Sequence, residues 1–148
     1  MDDKLLLMSV ITDDECDEDF YRYLEKVEDV NYTVLNGYSP LMQACCCDNP
    51  LAVEILLEKG ANPNFSSHKE WTPLTLALDN NNILNHRDEI VKLLLGRGAN
   101  PYTRLKDGKN VLDYCDSFFE KLGIETYYRE FNPVNIKPAT GGKNEISR

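Results

Sequence analysis

Residues 53–63, VEILLEKGANP, return at 91–101 as VKLLLGRGANP, and what that pair encodes decides the fold. Within each copy the apolar residues fall at helical spacing: Val53, Leu56 and Leu57, then Val91, Leu94 and Leu95, so each forms one buried stripe. Gly60 and Gly98 follow, suited to the left-handed conformation that ends a helix and satisfies its last carbonyls. The Asn-Pro that comes next cannot continue a helix. Each copy is therefore a short helix with a fixed stop.

Upstream of each copy lies a second matched pair, GYSPLMQAC (37–45) and EWTPLTLAL (70–78), with Pro40 and Pro73 separated by 33 residues. The downstream copies are offset by 38, because the second unit carries an insertion, NNNILNHRD (80–88), between its two apolar segments. Ser39 and Thr72 are suitable N-caps, and Pro40 and Pro73 fall at the first helical position, where a missing N–H costs nothing. Leu41, Ala44 and Cys45, then Leu74, Ala77 and Leu78, give these first helices a small, apolar side for close packing. A weaker third copy starts at DGKNVLDYC (107–115). Every unit reads as two short antiparallel helices joined by a turn.

From about residue 36 to residue 115 the chain resembles the ankyrin repeat, whose unit of about 33 residues carries a turn, a Thr-Pro-Leu helix start, a Leu-Leu run and a Gly-Ala-Asn/Asp close. The resemblance implies an all-α solenoid of helix-turn-helix units. Residues 1–34 then form a divergent N-terminal capping repeat, with helical patterns LLLMSVI and DFYRYLEKVEDV but neither Thr-Pro nor Gly-Ala-Asn. Residues 35–67 are one repeat, 68–105 a second with the insertion, and 106–124 a C-terminal capping repeat. A tail is expected from 125 to 148, partly disordered, with Tyr127, Tyr128 and Phe131 either packed on the last repeat or not. Met42, Thr75 and Asp113 stand where the family usually has His, which puts its usual inter-turn hydrogen bond in doubt.

The chain has 148 residues, 42% of them hydrophobic, enough for one self-sufficient core. No run approaches the ~20 apolar residues of a membrane span. The first residues make a poor signal peptide, since acids precede a short apolar run and no small-residue cleavage site follows. Five cysteines, three of them adjacent, do not resemble a disulfide framework and suit a reducing compartment, so a cytoplasmic protein is expected. Of the formal net charge of −9, residues 1–30 carry eleven acids against three bases. That acidity argues against nucleic acid, which needs a basic stripe, and for a protein partner with a basic surface.

The adjacent thiols Cys45, Cys46 and Cys47 invite a metal reading, but on a helix they fan out by about 100° each and cannot all face one ion. His68 and His86 have no helical partner at four residues, and nothing in the sequence sets either beside a thiol as a base. There is no Gly-rich phosphate loop and no nucleophile elbow. Neither a catalytic site, a metal nor a cofactor is expected. The run DDECDED (13–19) lacks the glycine and ligand spacing of a calcium loop. Asp17, Glu18 and Asp19 suit the N-terminus of the second helix, and with Asp13, Asp14 and Glu15 the surplus can also steer a cationic partner.

In ankyrin proteins the turn tips and the exposed side of the first helices form the binding surface. Carried onto this sequence, the tips hold Asn36 and Tyr38, then His68, Lys69 and Trp71, then Lys106, Asp107 and Lys109. The matching helix positions are Met42, Cys46 and Cys47, then Thr75, Asp79 and Asn80. Tyr38 and Trp71 share one register and would be neighbours; such aromatics anchor interfaces, or else Trp71 simply packs on the adjacent turn. The insertion is either a recognition loop or neutral decoration. What the resemblance implies is a monomeric protein-binding module without catalysis, which covers a partner and blocks or regulates it. Some small bacterial ankyrin proteins act as immunity proteins or inhibitors, and an acidic one would suit a basic toxin such as a nuclease. An adaptor with two binding faces, or a thiol-based sensor or enzyme, are the alternatives.

Overall fold

A computed structural model describes residues 2–12, 16–34, 37–66, 71–78, 86–114 and 118–131. Among them are seven α-helices: α1 (Asp3–Val10), α2 (Glu18–Lys26), α3 (Pro40–Cys46), α4 (Pro50–Glu58), α5 (Pro73–Leu78), α6 (Arg87–Gly96) and α7 (Phe118–Phe131). A 3-10 turn at Val111–Tyr114 stands where a further short helix would be. Sequential helices pair as α1 with α2, α3 with α4 and α5 with α6. Along the stack α1, α3, α5 and the 3-10 turn contact one another in order, and α4, α6 and α7 form the second layer behind them.

The helix ends follow from the residues that make them. Ser39 Oγ accepts the Met42 N–H at 3.2 Å, and Pro40 opens α3. A second Pro start, less obvious in the sequence, lies at Asn49-Pro50, where the Asn49 side chain caps α4 through the Ala52 N–H at 3.0 Å. At the far ends Ala61 N–H donates to Leu56 O at 3.0 Å and Ala99 N–H to Leu94 O at 2.9 Å, each bond spanning a glycine, Gly60 at φ 96° and Gly98 at φ 97°. Asp48 takes the same role after α3 with φ 57°, a conformation Asp tolerates better than most residues. Its carboxylate then faces His86 Nδ1 at 3.1 Å, tying the α3–α4 turn to the start of α6.

The core runs the length of the stack. Leu41, Ala44, Cys45, Val53, Leu56, Leu57, Leu74, Ala77, Leu78, Val91, Leu94 and Leu95 are all buried, as the apolar stripes require. Leu7, Phe20 and Leu24 extend this core into the N-terminal pair. At the other end Ile124 and Tyr128, four residues apart on α7, bury against α6. Residues 125–131, expected as the start of a tail, therefore continue a helix, and the boundary placed after 124 falls inside α7. Beyond 131 the expected tail lies outside the described residues.

Between units, asparagines make the bonds that apolar packing leaves open. Asn31 donates to Gly60 O at 3.0 Å and accepts from Asn62 N–H at 2.7 Å. One unit on, Asn64 repeats this with Gly98 O at 2.9 Å and Asn100 N–H at 2.6 Å. Tyr102 occupies the next position of the series and ends it: its ring meets Tyr128 edge-on at 5.9 Å, and its hydroxyl donates to Glu125 at 3.2 Å. The helix that closes the stack is thus held by the residue that replaces the ladder asparagine.

Candidate partner-binding face

The turns that precede α3 and the 3-10 turn share one local design. Val34 N–H donates to Tyr38 O at 3.1 Å and Gly37 N–H to Val34 O at 2.8 Å; Leu105 N–H donates to Lys109 O at 2.8 Å and Gly108 N–H to Leu105 O at 2.9 Å. Gly37 and Gly108 both have φ 82°, which closes each turn tightly without strain. Each projects as a hydrogen-bonded finger. Their tips present Tyr38 in one case and Lys106, Asp107 and Lys109 in the other.

Tyr38 and Trp71 stand immediately before the caps of α3 and α5, two helices packed side by side. Each is half-buried and rests on the edge of the core. Part of each side chain packs on the core and the remainder faces solvent. A large aromatic fixed by its own packing pays little entropy to bind.

Two expected face residues are not on the surface. Met42 and Thr75 each keep only 1% of their accessible area. All six residues of α5 are buried, because the helix is flanked by α3, α6 and the 3-10 turn. Thr75 instead closes the start of its own helix: it accepts the Thr72 N–H at 2.7 Å, and Thr72 Oγ1 accepts the Thr75 N–H at 3.1 Å. Asp113 does the same one unit on, accepting the Asn110 N–H at 2.9 Å. Of the three positions where the family's histidine is expected, Thr75 and Asp113 thus accept the N–H three residues back, whereas Met42 is buried in the core.

Cys45 and Cys46 separate as their register suggests, whereas Cys47, expected on the open face, is not fully exposed. Cys45 is fully buried, and burial pushes its thiol well above the usual range. Cys46 is exposed, whereas Cys47 is half-buried with its sulfur 3.6 Å from Ile11 O. Burial likewise raises the Cys16 thiol, partly offset by a hydrogen bond with Asn49. None of these four thiols is in a disulfide. Among the described residues no group of three or more His, Cys, Asp or Glu side chains is arranged to hold a metal ion, and no helix is long and apolar enough to cross a membrane.

Charge is distributed along the stack rather than over the face. Asp17 caps α2 by accepting the Phe20 N–H at 3.0 Å, Glu18 and Asp19 lie in its first turn, and Asp19 pairs with Arg22. Exposed Glu25, Glu28 and Asp29 add to the acidity of this end. At the opposite end Arg104, Lys106 and Lys109 make one finger basic, Arg104 donating to Gly108 O at 2.6 Å. Asn36, His68, Lys69, Asp79 and Asn80, with Asp13, Asp14 and Glu15, lie outside the described residues.

A stack of helix pairs with projecting turns defines an α-helical repeat solenoid. A family profile described as three copies of the ankyrin repeat matches residues 7–105, and the chain belongs to that family. The match begins inside the N-terminal pair, which lacks the family's punctuation but keeps its packing. A putative ankyrin repeat-containing protein of Treponema pallidum (strain Nichols) is 34% identical over 83 residues, 55% of this chain and 26% of its own length. The putative ankyrin repeat protein L92 of Acanthamoeba polyphaga mimivirus is 30% identical over 118 residues, 79% of this chain and 27% of its own. The 2-5A-dependent ribonuclease of Homo sapiens is 46% identical over 57 residues, which are 38% of this chain but 7% of the ribonuclease. The chain thus spans about a quarter of the first two relatives. Ankyrin repeats are general protein–protein interaction modules, and the fold is typically non-catalytic.

Proposed function

We propose that this chain binds a partner protein through its turn tips and the accessible edge of α3, and acts by occupying that partner's surface in the cytoplasm. The observation that supports this most is the placement of Tyr38 and Trp71: half-buried, in equal register, before the caps of adjacent helices. They are anchors held in advance of binding. Cys46 and the finger at 104–109 extend the same contact, and Asn36, His68 and Lys69 are included in it by sequence register alone.

The charge pattern refines the partner. A surface matched to this stack is basic where it meets α1 and α2 and carries acids opposite Arg104, Lys106 and Lys109. An inhibitor or immunity protein acting on a basic toxin is the specific form we favour, with the acidic end meeting the toxin's cationic region. Affinity capture from the native cell with wild-type and Trp71→Ala protein, at low and high salt, tests it. One protein retained by the wild type, weakened by roughly tenfold in the variant and released by salt, is the expected result. Equal recovery by both proteins contradicts it. An adaptor role is the second reading, favoured by the opposite charge of the two ends, and predicts two proteins recovered together.

A further inference from the structure

At the N-terminal edge of the stack a cavity of about 500 Å³ opens between the start of α1 and the segment 32–34. Leu5, Tyr32, Thr33 and Val34 line it together with Asp2 and Lys4. Leu5 is 47% exposed there and contributes apolar surface to the opening. A second cavity of about 330 Å³ shares Asp2 and Lys4 and adds Asp3, Lys26, Glu28 and Asp29. The two make one notch with an apolar half and an acidic half.

The walls are fixed before anything binds. Tyr32 donates its hydroxyl to Lys4 O at 2.9 Å, Asp2 caps α1 through the Lys4 N–H at 3.0 Å, and Asp29 accepts the Asn31 N–H at 2.9 Å. Both lysines lean on aromatic rings, Lys4 Nζ at 5.2 Å from Tyr32 and Lys26 Nζ at 6.0 Å from Tyr23. Four carboxylates therefore face two ammonium groups, within an N-terminal pair that is itself acidic. Such a surplus favours a cation and repels a second copy presenting the same edge.

We propose that this notch docks a short segment of a partner protein in which a large apolar side chain lies beside a lysine or arginine. The apolar group enters between Leu5, Tyr32 and Val34, and the cation meets Asp3, Glu28 and Asp29. This is a second binding face, which adjoins the base of the Tyr38 finger at Val34 but does not include Tyr38 or Trp71. Apolar burial supplies affinity and the carboxylates select sign and orientation.

The test uses the full chain and a fluorescein-labelled Gly-Ser peptide bearing one Phe between two pairs of Arg. Anisotropy reads affinity and amide chemical shifts read location. We expect saturable binding with shifts at Leu5, Tyr32, Val34 and Glu28. The affinity falls roughly tenfold in Leu5→Glu and in Glu28→Lys, and is unchanged in Trp71→Ala. Leu5 and Glu28 are both exposed, so the variants keep the fold, which thermal melting verifies. Equal binding of the Phe→Ala peptide, shifts centred on Tyr38 and Trp71, self-association of the chain at this edge by light scattering, or absence of saturable binding overturns the proposal. Because Trp71→Ala is silent in this assay, loss of the finger reading leaves the result standing, and the reverse.

Discussion

Cys46 and Cys45 are consecutive yet chemically unlike, since one faces solvent and the other has its thiolate form disfavoured by complete burial. Iodoacetamide at pH 8 should label Cys46 first and Cys45 last, followed by peptide mass spectrometry; equal rates would mean that α3 frays in solution. The raised thiol also has a sign for stability. Above about pH 9 the unfolded chain loses a Cys45 proton that the folded chain retains, so stability falls as pH climbs through that range. Chemical denaturation at pH 7.5 and pH 10 should show the loss, and Cys45→Ala should reduce it. At this scale the sequence told which of the cysteines would be inside, because register on a repeat fixes facing. It misplaced Met42 and Thr75, because a repeat's generic exposed position assumes open space beside the helix, and α3 and α5 each have neighbours on three sides. The ladder of Asn31 and Asn64 was also missed, although its signal is visible as an Asx two residues before each ladder asparagine, at Asp29 and Asn62.

Most helix starts in this chain are held by side-chain caps, and the reciprocal pair at α5 is the most elaborate. Thr75→Val keeps shape but leaves the buried Thr72 N–H without its acceptor, and should cost about 1–3 kcal/mol in urea denaturation. Thr75→Ser, which retains the hydroxyl, should cost less than half as much. At the C-terminal end, α7 closes the stack through Ile124 and Tyr128. Tyr128→Ala removes a buried ring and the Tyr102 contact together, and should lower stability by about 3 kcal/mol. The element boundaries marked by Ser39-Pro40, Gly60 and Gly98 were legible because each has a steric cause. The extent of α7 was not: Gly123 falls in the middle of its apolar residues, and contact with α6 supports the helix across it.

Taken as a whole, the molecule carries its acidic surplus at the first helix pair and a basic finger near the last, and the proposed partner association would be oriented by that charge. Changing Asp13 and Asp14 to Asn and Glu18 to Gln, while sparing the cap at Asp17, should slow association severalfold and flatten its salt dependence with little change in dissociation. Unchanged association rates would remove steering from the account. The solenoid itself could be read from two matched units, since each needs the next to bury its stripe. Which positions are exposed could be read only in outline, because exposure belongs to the assembled stack rather than to any single unit. The most direct measurement of the central claim is photo-crosslinking in the native cell, with benzophenone-alanine placed at Trp71 and, as the control, at exposed Glu54 on α4. One discrete protein adduct at position 71 and none at 54 is the result expected of a finger-face binder; adducts at 54 alone, or the same pattern from both positions, would contradict it.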